Sequence, residues 1–225
     1  MSKSYILKKK TICSRKEKLM RKAREYRKES RELLGHELFG SKWMWSLLLI
    51  LISSAAISAA SAATCGIAAL VVAGPLEYGL ISVFLRVVRR QDEHAEIKHL
   101  WDGFKGKIGQ TFVVALLEAI FIFLWSLLLI VPGIIKSYSY SATMHLVHEK
   151  DLKGKEAITA SRKLMKGRKW KLFCLDLSFI GWYIVGFLCL FVGVLWVQTY
   201  HTIAKTAFFE DALKEDATVE VKEAK

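Results

Sequence analysis

The chain has 225 residues, 53% of them hydrophobic, yet it carries 34 Lys+Arg against 21 Asp+Glu, a formal net charge of +13. In a soluble protein such a charge would point to nucleic acid. Here the cations crowd into a few segments between long apolar runs, which is the charge segregation of a membrane protein, so no nucleic-acid partner is expected.

Residues 1–42 form a basic arm in which Lys and Arg alternate with Glu17, Glu25 and Glu29, with Glu17 and Arg21 in the favourable i, i+4 order. This predicts a charged surface helix within a largely solvated, partly disordered extension. The first apolar run follows so late that a cleaved secretory signal is not expected. About 20 apolar residues are needed to cross a hydrocarbon core. The uncharged stretch after Trp43 is too long for one crossing, and it is broken at the small, polar segment Ser61–Gly66. Two further apolar blocks break at Val131-Pro132-Gly133 and Val192-Gly193, because proline and glycine end or kink helices. The resulting fold is all-α: about six transmembrane helices in three hairpins, at 43–63, 67–88, 108–131, 134–148, 172–191 and 194–209, followed by a tail at 210–225. The polar composition of Ser137–Ser141 and Gln198–Thr202 makes the fourth and sixth candidates for re-entrant segments, which would leave four full spans.

Lys and Arg concentrate in 1–42, 86–107, 150–171 and the tail, whereas the hairpin turns are nearly free of them. The positive-inside rule then places both termini and both long loops in the cytoplasm, with Lys136 as the one cation near the outer side. At an offset of sixty-one residues, Phe104-Lys-Gly-Lys107 falls on Met165-Lys-Gly-Arg168, each copy leading into an apolar span, so the chain reads as an internal repeat. The loop helix of each copy is amphipathic. Ile97, Leu100, Trp101 and Phe104 make a stripe beside Lys98, Lys105 and Lys107. Ala157, Ile158, Leu164 and Met165 sit beside Lys155 and the candidate anionic-headgroup contacts Arg162, Lys163, Lys166, Arg168 and Lys169. A helix that simply caps the bundle fits the same pattern.

Charges within apolar spans are costly, and each is a candidate functional group. Glu118 in the third span is the foremost, as a proton carrier or a partner for a cation. Asp176 stands about one turn into the fifth span and could instead reach the interface. Glu77 follows Gly74-Pro75, where a helix N-terminus favours a carboxylate. Lys136 occupies the corresponding first turn after Pro132-Gly133, where a cation is disfavoured, so it snorkels or meets an acid such as Glu118 or Glu77. His145 and His148 share a face, but no further ligand lies near them in sequence. The four cysteines form no Cys-x-x-Cys pair. No nucleophile elbow, P-loop or dinucleotide fingerprint occurs, so no catalytic, cofactor-binding or metal-binding residue and no cofactor is expected.

The run Leu128-Leu-Ile-Val-Pro-Gly-Ile-Ile-Lys-Ser-Tyr-Ser-Tyr-Ser141, with Glu156-Ala-Ile158, Ser161-Arg162, Leu164-Met165, Gly167, Lys169-Trp170 and Leu177-Ser-Phe-Ile-Gly-Trp182, resembles a bacterial integral membrane family, the domain of unknown function 975. The resemblance begins near Arg31 and implies a multi-pass protein of the bacterial plasma membrane, without a known activity. Thr199 stands before Tyr200 where similar proteins often have proline. Taken together, these features favour a non-enzymatic envelope protein that organises, senses or assists, with anionic lipid headgroups and a homo-oligomer or membrane-protein partner. The alternative is a small-solute transporter or channel subunit using Glu118, and an intramembrane enzyme ranks third.

Overall fold

The computed structural model describes residues 21–34, 41–63, 67–91, 97–128, 130–188 and 192–223. Within them the chain is helical, and no strand occurs among the described residues. The elements are α1 (Ala23–Leu34), α2 (Ser41–Ala63), α3 (Ile67–Val88), a 3-10 helix (Ile97–Phe104), α4 (Ile108–Leu128), α5 (Ile130–Tyr140), α6 (Thr143–Lys150), α7 (Gly154–Leu164), α8 (Lys169–Leu188) and α9 (Val192–Glu223).

Four helices, α2, α3, α4 and α8, are long and apolar enough to cross a membrane. The expected spans at 134–148 and 194–209 are not among them. The first is divided at Ser141-Ala142 between α5 and α6, of 11 and 8 residues. At 1.5 Å per residue α5 is about 16 Å long, half of a hydrocarbon core. The break before it also falls earlier than expected. Pro132 lies inside the first turn of α5, where its missing N–H costs no intrahelical bond, so the chain turns ahead of the proline. The second expected span is the opening of α9, a continuous helix of 32 residues that absorbs most of the supposed tail. Thr199 is buried within it, its hydroxyl donating to the Leu195 carbonyl, and the helix passes through this point unbroken.

The four apolar helices differ in what surrounds them. In α3, 61% of the span-length window is buried inside the protein, against 11% in α4 and 22% in α8. Accordingly α3 is a core helix on which the others assemble, while α4 and α8 turn Phe123, Leu124, Leu127, Ile184, Phe187 and Leu188 outward. Exposed apolar side chains on this scale mark a surface that meets something other than water.

The largest apolar core lies away from those exposed faces. Tyr26 and Leu34 of α1, Phe84 of α3, Leu146 of α6, Leu172 and Phe179 of α8, and Ile203 and Phe208 of α9 pack together in it. Thus α1 is no solvated extension over its described length. Tyr26 is 1% exposed, and the Tyr200 hydroxyl donates to the Arg27 carbonyl at 2.6 Å. Glu17 lies outside the described residues, and Arg21 pairs instead with Glu29 and Asp211.

The two loop helices cap the bundle. The 3-10 helix presses Leu100 and Gly103 onto α3 so closely that a Cβ on Gly79 would collide with the Leu100 carbonyl, and one on Gly103 with that of Pro75. Similarly, α7 buries Ala157, Ile158, Ser161 and Leu164, with the Ser161 hydroxyl donating to the Ser139 carbonyl at 2.9 Å. The copies share their backbone turns as well. Gly106 (φ 80°) and Gly167 (φ 84°) are both left-handed, as are Arg90 (φ 55°) and Asp151 (φ 51°), and each pair is separated by the repeat offset.

Candidate functional site

Asp176 is the hub of a polar network where α5, α8 and α9 meet. Its Oδ2 accepts the Tyr138 hydroxyl at 2.9 Å, and its Oδ1 lies 2.8 Å from His201 Nε2 and 3.3 Å from Lys205 Nζ. Since a carboxylate only accepts, Nε2 donates to it, while Nδ1 lies 3.1 Å from the Tyr183 hydroxyl. Phe179 stacks against the His201 ring, with centroids 4.6 Å apart. Asp176 is thus held by two helices, through Tyr138 on α5 and His201 and Lys205 on α9, and His201 falls within the stretch that the sequence marks as a polar, protein-packed face.

A groove of about 220 Å³ opens beside this network between α5 and α8. Val131, Ile134, Ile135 and Tyr138 face Trp170 and Phe173 across it, and Lys169 brings a charge to its lining. Val131 and Trp170 are each 67% exposed, so the groove is open to the outside. Lys136, one residue beyond Ile135, holds its ammonium over the Trp125 ring at 4.2 Å. Its charge and that of Arg162 both reach Lys169. Lys136 thus lies within electrostatic reach of a cation at the start of α8. Neither Glu118 nor Glu77 is its ion-pair partner among the described contacts.

Glu77 stands on an exposed face of α3, while Glu118 is half-buried on α4. The two carboxylates lie close enough to sense each other's charge. Gly74 and Thr111 bring the two helices together, a Cβ on the glycine falling 2.7 Å from the threonine carbonyl oxygen.

A charged collar surrounds residues 210–216 of α9. Arg89, at the end of α3, makes a bidentate pair with Glu210 at 3.0 and 2.8 Å and also meets Glu149 at 2.9 Å. Burial alone would raise Glu210, but Arg89 and Lys214 outweigh it and hold its carboxyl below the usual range. Arg21 contacts Asp211 at 2.6 Å. Arg168 is 0% exposed and reaches Glu215 through Nε and Nη2 at 3.2 and 2.9 Å, while Nη1 donates to the Leu164 carbonyl at 2.6 Å. Of the five cations expected to meet headgroups, Arg168 is thus withdrawn into the protein. Arg162, Lys163 and Lys166 remain exposed, and Lys169 lines the groove.

The family described as "Protein of unknown function (DUF975)" matches residues 20–145 and 127–216, the two matches overlapping across the α4–α5 turn. The chain belongs to this family. No curated protein and no solved structure matched it. The match spans every helix from α1 through most of α9, so the Asp176 network, the groove and the collar all lie in the part the family describes.

The two histidines part company. His145 is 6% exposed, packed on Phe209 at 4.4 Å, and neither ring nitrogen has a partner. Desolvation, helped by His148, pushes its pKa down to about 3, so it is neutral. His148 instead meets Glu149 at 3.1 Å and the Tyr78 ring at 5.1 Å. Among the described residues no three His, Cys, Asp or Glu side chains gather as a metal site would require. The sequence pointed to Asp176 and to a polar, protein-packed stretch that contains His201, but missed Lys205 and the pairing of both with Asp176. Only the antiparallel packing of α9 on α8 brings them opposite that acid.

Proposed function

We propose that the chain is a non-enzymatic, multi-pass protein of the bacterial plasma membrane, with both termini and its basic loops in the cytoplasm, that organises, senses or assists other envelope components. The observation that carries this reading is α7. It is fixed by a buried apolar side and by Arg168, which is anchored on α9, and it turns Lys155, Arg162, Lys163 and Lys166 outward as a preformed cationic face. Such a face beside a broad exposed apolar surface suits anionic headgroups and acidic partner segments. The test is light crosslinking in native membranes, purification in mild detergent and mass spectrometry of what co-purifies. A stoichiometric membrane-protein partner that is lost on reversing the charges of Lys163 and Lys166 supports the reading. A homo-oligomer alone, indifferent to those reversals, removes its basis.

The proximity of Glu77 and Glu118 favours a second reading, a small-solute transporter or channel subunit. Proteoliposome flux that disappears in E118Q, with helicity and dispersity unchanged, would establish it. Equal flux in wild type, variant and empty vesicles would dismiss it.

A further inference from the structure

The geometry points to the α5–α8 groove as a binding site for one anionic phospholipid, with an acyl chain along Val131, Ile134, Ile135 and Phe173 and the phosphate held by Lys169, Lys136 and Arg162. This rests on the reading of α2, α3, α4 and α8 as membrane-embedded.

Two independent features converge there. The groove is walled by hydrocarbon and aromatic atoms and opens outward, so its natural filler is a chain, not water. Beside it stand three cations whose fields overlap at Lys169, and none of the three has an acidic partner among the described ion pairs. Elsewhere three arginines that reach into the protein are neutralised. Arg21, Arg89 and Arg168 each meet carboxylates within 3 Å. A cation cluster left without an acid beside an apolar slot calls for an occupant that is anionic at one end and hydrocarbon at the other. Trp170, exposed over the slot, and Tyr138, tied to Asp176, are the aromatic groups that favour such a boundary. A zwitterionic lipid would fill the groove equally but gain less at the cations. A protein segment would leave the cations unanswered unless it were acidic.

The experiment is native mass spectrometry of the full chain from mixed micelles holding equal phosphatidylglycerol and phosphatidylcholine. Wild type is expected to retain one phosphatidylglycerol, about tenfold in excess over phosphatidylcholine. The triple variant K136Q/R162Q/K169Q loses that preference, and I135W, which fills the groove, loses both lipids. K22Q/K28Q, which removes two exposed cations away from that loop, retains it. Equal retention of the two lipids by wild type overturns the inference. So does a preference that survives the triple variant, or one that K22Q/K28Q abolishes equally, since surface charge at large would then explain it. Displacement by millimolar inorganic phosphate also overturns it, because the groove would then contribute nothing. Circular dichroism checks each variant, and the triple variant decides should I135W fail to fold. Sedimentation with alkali-washed membranes tests the membrane reading separately. A chain that stays in the membrane without lipid preference sinks only the groove, whereas one released to the supernatant sinks both.

Discussion

Replacing Arg168 with methionine should cost far more than any other cation on its loop. The guanidinium is wholly buried, and its partner Glu215 retains only 8% side-chain exposure. R168M would remove both hydrogen bonds to Glu215 and the one to the Leu164 carbonyl, leaving a carboxylate in the interior without its counter-charge. Breaking a buried pair in this way costs about 3 to 5 kcal/mol. For a chain of this size each kcal/mol moves the melting temperature by roughly 2 to 4 °C, so R168M should melt roughly 6 to 20 °C below wild type. Removing both charges, as in R168M/E215L, leaves only the more exposed Asp216, 3.7 Å from the Arg168 guanidinium, without that counter-charge, and should recover most of the loss, because apolar replacements of buried pairs are often close to neutral. Exposed Lys166 provides the control, and K166M should change stability by less than about 0.5 kcal/mol. The assay is thermal unfolding in one detergent, followed by circular dichroism. If R168M and K166M melted together, or the double variant were as unstable as R168M, the collar would not be what holds α7 and α8 to α9.

G79A places a methyl against the backbone of Leu100, so α3 and the 3-10 helix must separate. The expected loss is about 3 kcal/mol or more, the upper end for overpacking, with faster amide exchange across 97–104, whereas G109A meets nothing within 4 Å and should be neutral. His145 is depressed to about 3 in the folded chain against 6.5 unfolded, so below pH 6.5 the unfolded state binds the extra proton and stability falls as pH falls. Between pH 6.5 and 5 this single group should cost about 2 kcal/mol, and melting curves of H145L should be measurably flatter over that window. Parallel curves would refute the assignment. D176N keeps an acceptor but removes the charge facing His201 and Lys205, and should destabilise by about 1.5 to 3 kcal/mol. A cycle with Y138F should show coupling above about 0.5 kcal/mol if the two act as one network. Truncation after Phe209 deletes the acids that face Arg89, Arg21 and Arg168 and should prevent folding, while truncation after Thr218 should not, as judged by monodispersity on gel filtration.

Much of the architecture was legible because it is periodic. The Lys-Gly pairs at 105–106 and 166–167 announced two equivalent turns, and both glycines are left-handed in the structure. Leu100 in one loop helix and Ile158 and Leu164 in the other lie on the buried sides as their stripes indicate, whereas Trp101 of the first stripe is 51% exposed. The boundaries were less legible where proline misled. A Pro-Gly pair signals a helix break, but the first turn of a helix accepts proline, so Pro132 opened α5 when it was expected to close α4. The site was legible chiefly in its acid. Asp176 is conspicuous within an apolar run, whereas its partners on α9 lie 25 and 29 residues away and depend on how one hairpin closes. The fate of Arg168 was hidden in the same way. In sequence it is one cation among five, and only Glu215, 47 residues on, distinguishes it.

One further offset of sixty-one residues falls inside α9, and what α9 buries there explains why the helix runs on through residues 210–223. Asp151 ends α6 in a left-handed turn, and the position one repeat further on is Ala212, where α9 continues as helix. The difference lies in what the two stretches can bury. Beyond Phe209, α9 offers Ala212 to the large core and sets Glu210, Asp211 and Glu215 toward arginines from three other elements. Each added turn therefore gains both apolar contact and a compensated charge, and nothing favours a break. At about 48 Å the helix is long enough to begin among exposed apolar surfaces and end in the charged collar. It thereby joins the two environments, with the Asp176 network placed on α9 between them.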